Sequence, residues 1–336
     1  MRAYYQLRPL IPMALRRYLQ QRRRNEARPR WHFPDAFMAS LGEAVNHFAD
    51  GVTIVHPWPD GAHWGFVLTH DVESEFGLSR SLELADVERE FGFLSCWNIV
   101  PHGYPVDQGV IRELRSRGCE IGVHGYNHDG RLFSSREEFD RRAVEINRAI
   151  REYGAVGFRA PMVHRQLDWM QQLEIEYDAS HFDIDPFQAM PGGVGAVWPF
   201  LAGRFVELPY TLPQDHTLLI VLGENDDRLW REKLEWIVQR QGMVLMLTHP
   251  DYLAGQHGLD LYRRFLEHVR ELGGYWHALP RDVAEWWLRH DSHVEVDGEG
   301  QRRVAGPAAG RGRVAVMQSD GERVLFNQPQ REVSWS

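Results

Sequence analysis

The sequence predicts an α/β protein whose parallel sheet closes, or nearly closes, into a barrel. Three observations carry this. Short apolar runs alternate with amphipathic segments of helical length from residue 61 to residue 290. Helical segments end repeatedly at glycine (Gly92, Gly118, Gly154 and the pair Gly273-Gly274), the residue that best tolerates the left-handed position after a helix. Polar residues then gather just past the apolar runs, where a barrel carries its chemistry. Strand–helix repeats of this length imply right-handed crossovers and parallel pairing.

Ahead of the repeats, residues 1–30 hold nine Arg against one Glu. The stretch lacks a continuous apolar region and a small-residue cleavage site, so it does not read as a signal peptide. Pro9 and Pro12 interrupt its apolar run, and a short helix after Pro12 would place Met13, Leu15, Tyr18 and Leu19 among arginines. Such an arm either rests on the acidic body, the preferred reading, or makes peripheral contact with an anionic membrane surface. No stretch is long enough to span a bilayer.

A helix is expected over 37–48 and a turn at Trp58-Pro59-Asp60-Gly61. Strands follow at 64–68, 93–100, 119–123, 156–159 and 177–182. Helices lie between and after them at 82–91, 110–117, 135–153 and 166–173, the long one capped by Ser134 or Ser135. Residues 186–216 break the rhythm. Pro186, Pro191, Pro199, Pro209 and Pro213 mark an irregular insertion with one strand at 205–208. Alternation resumes with a helix at 227–239, a strand at 243–247, a helix at 259–272, a strand at 275–279 and a helix at 281–289. Beyond His290, Gly, Arg and Val dominate, and Asp297-Gly298 and Asp320-Gly321 suit hairpin turns. The chain therefore divides into an N-terminal extension (1–60), a barrel (61–290) and a small β-rich C-terminal appendage or tail (291–336).

At 336 residues with 43% hydrophobic content and 12 Trp, the chain can bury a large core. A formal charge of -9 argues against general nucleic-acid binding. Two cysteines, Cys96 and Cys119, exclude a disulfide framework and suit a reducing compartment. The expectation is a cytoplasmic protein, with the inner membrane surface as a peripheral site for the basic arm.

The strand ends carry the functional signal. The strand at 64–68 leads into Thr69-His70-Asp71-Val72-Glu73, and the third leads into His124-Gly125-Tyr126-Asn127-His128. Two imidazoles four residues apart can face one point, and one carboxylate would complete a three-ligand metal site with positions open for water and substrate. With 17 His in the chain, such a pair also arises by chance. Phe158-Arg159-Ala160-Pro161 ends the fourth strand, the fifth leads to Asp178, Asp183 and Asp185, and a late strand ends in Leu247-Thr248-His249-Pro250. Singly, Asp71 reads as a helix cap, Arg159 as a surface cation and His249 as a core histidine. Their joint placement past apolar strands points to a catalytic rim.

These motifs, in this order over residues 64–290, resemble the polysaccharide deacetylase family (the NodB-homology, carbohydrate esterase family 4 group), whose fold is a distorted (β/α) barrel. Asp71-Val72-Glu73 stands where the family has Asp-Asp, His124 and His128 match its His-x-x-x-His, Arg159-Ala160-Pro161-Met162 its Arg-x-Pro-Tyr, and Leu247-Thr248-His249 its Leu-x-His. The Asp-containing fourth motif is poorly matched by Tyr177 to Asp183.

The resemblance implies a hydrolase acting on non-peptide C–N bonds, removing N-acetyl groups from an N-acetylated carbohydrate. Glu73, His124 and His128 would hold a divalent metal, Zn2+ first, with Co2+, Fe2+ or Ni2+ as alternatives. The swapped assignment, Asp71 on the metal, stays open. Asp71 would be the base, oriented by Arg159, and His249 the acid, oriented by Asp183 or Asp178. Pro161, Tyr210, Asp215 and His216 are candidate substrate contacts, Asp251, next to His249-Pro250, is a further candidate for the site, and His70 and His164 flank the motifs without a clear role. A cell-envelope or exopolysaccharide precursor is the expected substrate. Hydrolysis of a cyclic ureide or imide on the same fold, or glycan binding without catalysis, are the alternatives. Oligomeric state is left open.

Overall fold

The computed structural model describes residues 40, 42–45, 47–48, 51–188, 193–288, 291–320 and 323–328. The basic arm at 1–30, and residues 37–39, 41 and 46 of the helix expected over 37–48, lie outside the described residues; 40 and 42–45 are helical.

After β1 (Val52–Val55) the barrel strands are β2 (Trp64–Val72), β3 (Ser95–Ile99), β4 (Glu120–His124), β5 (Gly157–Arg159), β6 (Tyr177–Asp178), β7 (Phe200–Ala202), β8 (Phe205–Glu207), β9 (Met243–Thr248) and β10 (Tyr275–His277). Helices α1 (Glu75–Glu90), α2 (Gln108–Ser116), α3 (Arg136–Glu152), α4 (Leu167–Met170), α5 (Arg228–Val238), α6 (Pro250–Leu253), α7 (Gln256–Leu272) and α8 (Pro280–Trp287) are spaced among them. From β2 the sheet runs β3, β4, β5, β6 and β8 in parallel, with β7 antiparallel on the far edge. β9 lines the other edge of β2, while β10 pairs with the first residues of β2 and β3 with its last.

The sheet curls, and an irregular segment closes the gap between β8 and β9. The amide of Thr211 donates to Leu245 O at 3.0 Å, its Oγ1 to Met243 O at 2.9 Å, and Tyr210 forms a parallel bridge with Phe182. This is the distorted barrel that the strand–helix rhythm predicts.

Strand alternation sorts side chains into two cores. Phe66, Leu68 and Val72 of β2 join the layer between sheet and helices, with Trp97, Ile121 and Phe158. Val67 points inward, with Tyr177, Val206, Leu245 and Leu247. Side chains at 67, 69 and 71 therefore share the inner face.

Two elements differ from the sequence expectation. β2 does not stop at Leu68 but runs through Val72, every residue buried, because its polar members find partners inside. α1 begins at Glu75 rather than residue 82, since Ser74 caps it by accepting from the Gly77 amide at 3.0 Å. The C-terminal appendage is β-structured: β11 (His293–Val296) and β12 (Arg302–Ala305) form a hairpin, and β13 (Val314–Ser319) and β14 (Val324–Asn327) another. β1, from the expected N-terminal extension, pairs antiparallel with β13. Among the described residues no helix is long and apolar enough to cross a membrane.

Candidate active site

Asp71 and Glu73 stand two positions apart, so the pleat turns both carboxylates to the interior and sends Val72, between them, to the helix layer. Substituting Glu at the third position for Asp at the second thus restores a second inward carboxylate. Around them converge His124 from the end of β4, His128 from the turn after it, Arg159 from the end of β5 and His249 from the end of β9.

Glu73 Oε1 lies 2.8 Å from His128 Nε2, 3.7 Å from His124 Nε2 and 3.6 Å from His249 Nε2. His124 Nδ1 faces the Arg159 carbonyl at 3.0 Å, which can only accept. That bond places the ring proton on Nδ1 and leaves Nε2 with its lone pair toward Glu73. The Nε2 atoms of His124 and His128 are buried and make no hydrogen bond. Glu73 stays well below the usual carboxylate range: burial opposes its charge, but His128 and His124 outweigh it. These three donors lie within 4.8 Å of one another, and their chemistry, two bare imidazole nitrogens and a carboxylate, fits a borderline divalent cation. Glu73 is partly exposed, which gives the cluster an opening to solvent.

The local backbone serves this arrangement. His128 has φ 58°, a left-handed conformation that turns its ring back toward His124. Gly125 also has positive φ, and a Cβ there would meet Pro161 Cδ at 2.3 Å. Pro161, buried, therefore supports the turn between the two histidines.

Asp71 is held on its other side. Its Oδ1 accepts from Arg159 Nη1 and from Asn98 Nδ2, both at 3.0 Å, and its Oδ2 sits 3.7 Å from His124 Nε2. Burial raises its pKa, and His124, Arg159 and His249 more than reverse that, so the group is ionised. Arg159, fully buried, is fixed by Nε on Ala179 O at 2.7 Å and Nη1 on Thr69 Oγ1 at 2.9 Å.

His249 faces the pair from β9. Its Nδ1 and its amide both meet Asp215, each at 2.7 Å. Burial disfavours imidazolium here, yet Asp215, then Glu73 and Asp71, raise its pKa to about 10. The ring is thus a cation whose Nε2 proton points at the Glu73 side of the cluster.

Several sequence expectations need correction. Asp183 does not orient His249: it pairs with Lys233 at 2.7 Å, both fully buried. Asp178 is bound to the Ser180 hydroxyl at 2.6 Å. Asp215, expected as a substrate contact, is the His249 partner and is fully buried. Tyr210, also expected there, is buried in the barrel interior, where its hydroxyl accepts from Gln214 Nε2 at 3.2 Å and its ring neighbours Phe182. His216 packs beside Tyr252, which in turn packs on His249. His70 points to the helix layer, bonded to Glu88 at 2.6 Å and to Thr248 at 2.8 Å. Asp251 accepts from Ser74 at the start of α1. Asn98 was missed; its one signal is an amide within an otherwise apolar strand.

No family model and no curated relative matches the sequence. Solved structures do. A protein named as a polysaccharide deacetylase from Mycobacterium smegmatis matches with TM-score 0.54 and 19% identity, over 69% of this chain and 93% of that one. One so named from Pseudomonas aeruginosa PAO1 matches with TM-score 0.55 and 16% identity, over 70% and 95%. The Puue allantoinase matches with TM-score 0.54 and 17% identity, over 69% and 93%. All three share one fold with this chain.

Proposed function

We propose that this chain, which carries the polysaccharide deacetylase fold, is a metal-dependent hydrolase that removes N-acetyl groups from an N-acetylated sugar. The observation that carries the reading is the division of labour around one point. Bare imidazole nitrogens and Glu73 converge on one side, an ionised Asp71 pinned by Arg159 and Asn98 lies beside them, and an Asp215-bound imidazolium faces both.

Glu73, His124 and His128 would hold the ion. When bound, a divalent metal supplies Lewis acidity, lowering the pKa of water and polarising an acyl carbonyl. The remaining steps belong to the chain. Asp71 takes a proton from the attacking water through Oδ2, the oxygen that Arg159 and Asn98 leave open. Arg159 keeps Asp71 from rotating and keeps it ionised. His249 then delivers its Nε2 proton to the departing amine, and Asp215 holds the ring in the tautomer and orientation this needs. The products are acetate and an amino sugar.

The test is acetate release from N-acetylglucosamine oligosaccharides and from nucleotide-linked N-acetylglucosamine, using Zn2+-loaded protein, with Asp71→Asn as the control. Release by wild type and a loss of at least about 10²-fold in the control support the reading. Ring opening of cyclic ureides without acetate release from any N-acetyl sugar would replace it with the other C–N hydrolase chemistry known on this fold.

A further inference from the structure

We infer that Asp178, His181 and Glu207 form a second binding site, structural rather than catalytic, for a divalent transition-metal ion. It lies at the carboxyl ends of β6 and β8, behind Arg159. The donor atoms of the three residues lie within 4.8 Å of one another, and all three residues are buried. Among the described residues this and the Glu73 cluster are the two places where such donors gather.

The contact geometry points to an ion. His181 Nδ1 is 3.0 Å from Glu207 Oε2, close enough for a hydrogen bond. Neither atom makes one, although His181 is only 7% exposed and Glu207 is fully buried. A donor and an acceptor buried this deep are expected to pair, because leaving both unmade is costly. Two lone pairs converging on a third body do not align with each other. The Glu73 cluster shows the same signature, with His128 Nε2 at 2.8 Å from Glu73 Oε1 and no hydrogen bond made by that nitrogen.

Charge leads the same way. Asp178 and Glu207 are both fully buried, and the cations near them are largely committed. Lys233 pairs with Asp183, and Arg159 with Asp71. Arg165 faces the group from a half-buried position over the Phe182 ring. Asp178 and Glu207 lie within hydrogen-bonding reach of each other, so two buried carboxyl groups gather at His181 with one half-buried guanidinium nearby. His181 Nδ1, 3.0 Å from Glu207 Oε2, is the nitrogen turned toward them. A divalent ion supplies the missing charge, and a two-oxygen, one-nitrogen set suits Zn2+, Mn2+, Fe2+ or Co2+.

The surroundings are already built as a supporting shell. Ser180 Oγ donates to Asp178 Oδ1 at 2.6 Å, and the His181 amide holds Glu207 Oε1 at 3.0 Å, leaving Oε2 for the ion. The same loop props the catalytic side: Ser180 Oγ accepts from the Ala160 amide at 2.8 Å, and Ala179 O holds Arg159 Nε. The ion would lock residues 178–181, and through them Arg159.

The test counts metal on the full chain. Protein stripped with chelator is titrated with Zn2+, separated from free ion and analysed for zinc, with its thermal midpoint recorded. Wild type should take up two equivalents, Glu207→Gln and His181→Gln one each, His128→Ala one, and Glu207→Gln/His128→Ala none. Glu207→Gln keeps an oxygen for the His181 amide; should that variant fail to fold by circular dichroism, His181→Gln carries the test. The Zn2+-dependent rise in midpoint should also shrink in both single variants. Wild type saturating at one equivalent that Glu207→Gln and His181→Gln both retain, or at two equivalents that both retain, overturns the proposal. Loss in His128→Ala bears only on the catalytic site, so the two readings fail separately.

Discussion

Replacing Asp215 with Asn separates orientation of His249 from the rest of the site. In wild type the carboxylate receives two bonds at 2.7 Å, from the His249 ring and from its amide. Asn offers one acceptor oxygen, so one bond is lost or reversed, and the ring can adopt the other tautomer. The negative charge that offsets burial also disappears. Ordinarily the ring's pKa is raised to about 10, with Asp215 the leading support. A cation in the Glu73 cluster would weaken the pull of Glu73 and Asp71 and leave Asp215 as the main one. Without it, burial drives the ring toward neutrality, and at pH 8 the acid has no proton to give. A mispositioned or deprotonated general acid costs about 10²–10⁴ in rate, or about 3–5 kcal/mol. The sign for pH is fixed: a raised pKa keeps the acid form at neutral pH, so its loss moves the alkaline limb of the kcat/KM profile downward. The assay is acetate release from pH 6 to 10 at saturating Zn2+, with metal content and circular dichroism measured alongside. A folded, metal-loaded Asp215→Asn protein within about threefold of wild type at pH 8 refutes the assignment of His249 as the acid.

Asp183→Asn should behave oppositely: buried Lys233 loses its carboxylate, costing about 3–5 kcal/mol in urea unfolding, while activity per folded molecule stays within about threefold. Glu120 tests pH-linked stability. It is buried between Tyr177 OH and the Arg281 amide, and burial raises its pKa from 4.5 to about 7. Between those values the folded state keeps a proton that the unfolded state releases, so stability falls as pH rises from about 4.5 to about 7, by about 3 kcal/mol at most. Glu120→Gln should flatten that part of the stability profile; an unchanged slope in denaturant titrations at pH 5 and 8 contradicts it. Gly125→Ala places a Cβ against Pro161 at a positive φ, and should weaken Zn2+ binding at least about tenfold by displacing the His124–His128 turn, as read by competition with a chromophoric chelator.

Much of the site is legible in the sequence because the barrel puts its chemistry where apolar strands end. Asp71, Glu73, His124, Arg159 and His249 each follow a run whose burial the composition announces, and the two-residue spacing of Asp71 and Glu73 already fixes a shared face. What sequence spacing cannot show is which distant chain crosses the rim. Asp183 lies next to a strand and reads as the His249 partner, yet Lys233, from α5, claims it. Asp215 lies in an irregular, proline-marked stretch that reads as surface; its neighbours Tyr210, Thr211 and Leu212 are a barrel stave, bonded to β9 through Leu245. Asn98 is hidden for the same reason that β2 looks short. A polar residue inside a strand reads as an end or an edge until its buried partner is known, here Asp71 for Asn98 and Glu88 for His70. The C-terminal sheet depended on β1, some 260 residues earlier in the chain, which no local pattern connects to β13.

The account rests on Glu73 holding the ion while Asp71 remains free to take a proton. Elemental analysis of Glu73→Ala and Asp71→Asn, purified side by side with wild type and saturated with Zn2+, tests that directly. The expected result is loss of the catalytic-site equivalent in Glu73→Ala and its retention in an inactive Asp71→Asn. A metal-loaded Glu73→Ala beside an Asp71→Asn that has lost this equivalent would return Asp71 to the metal and contradict the division of roles.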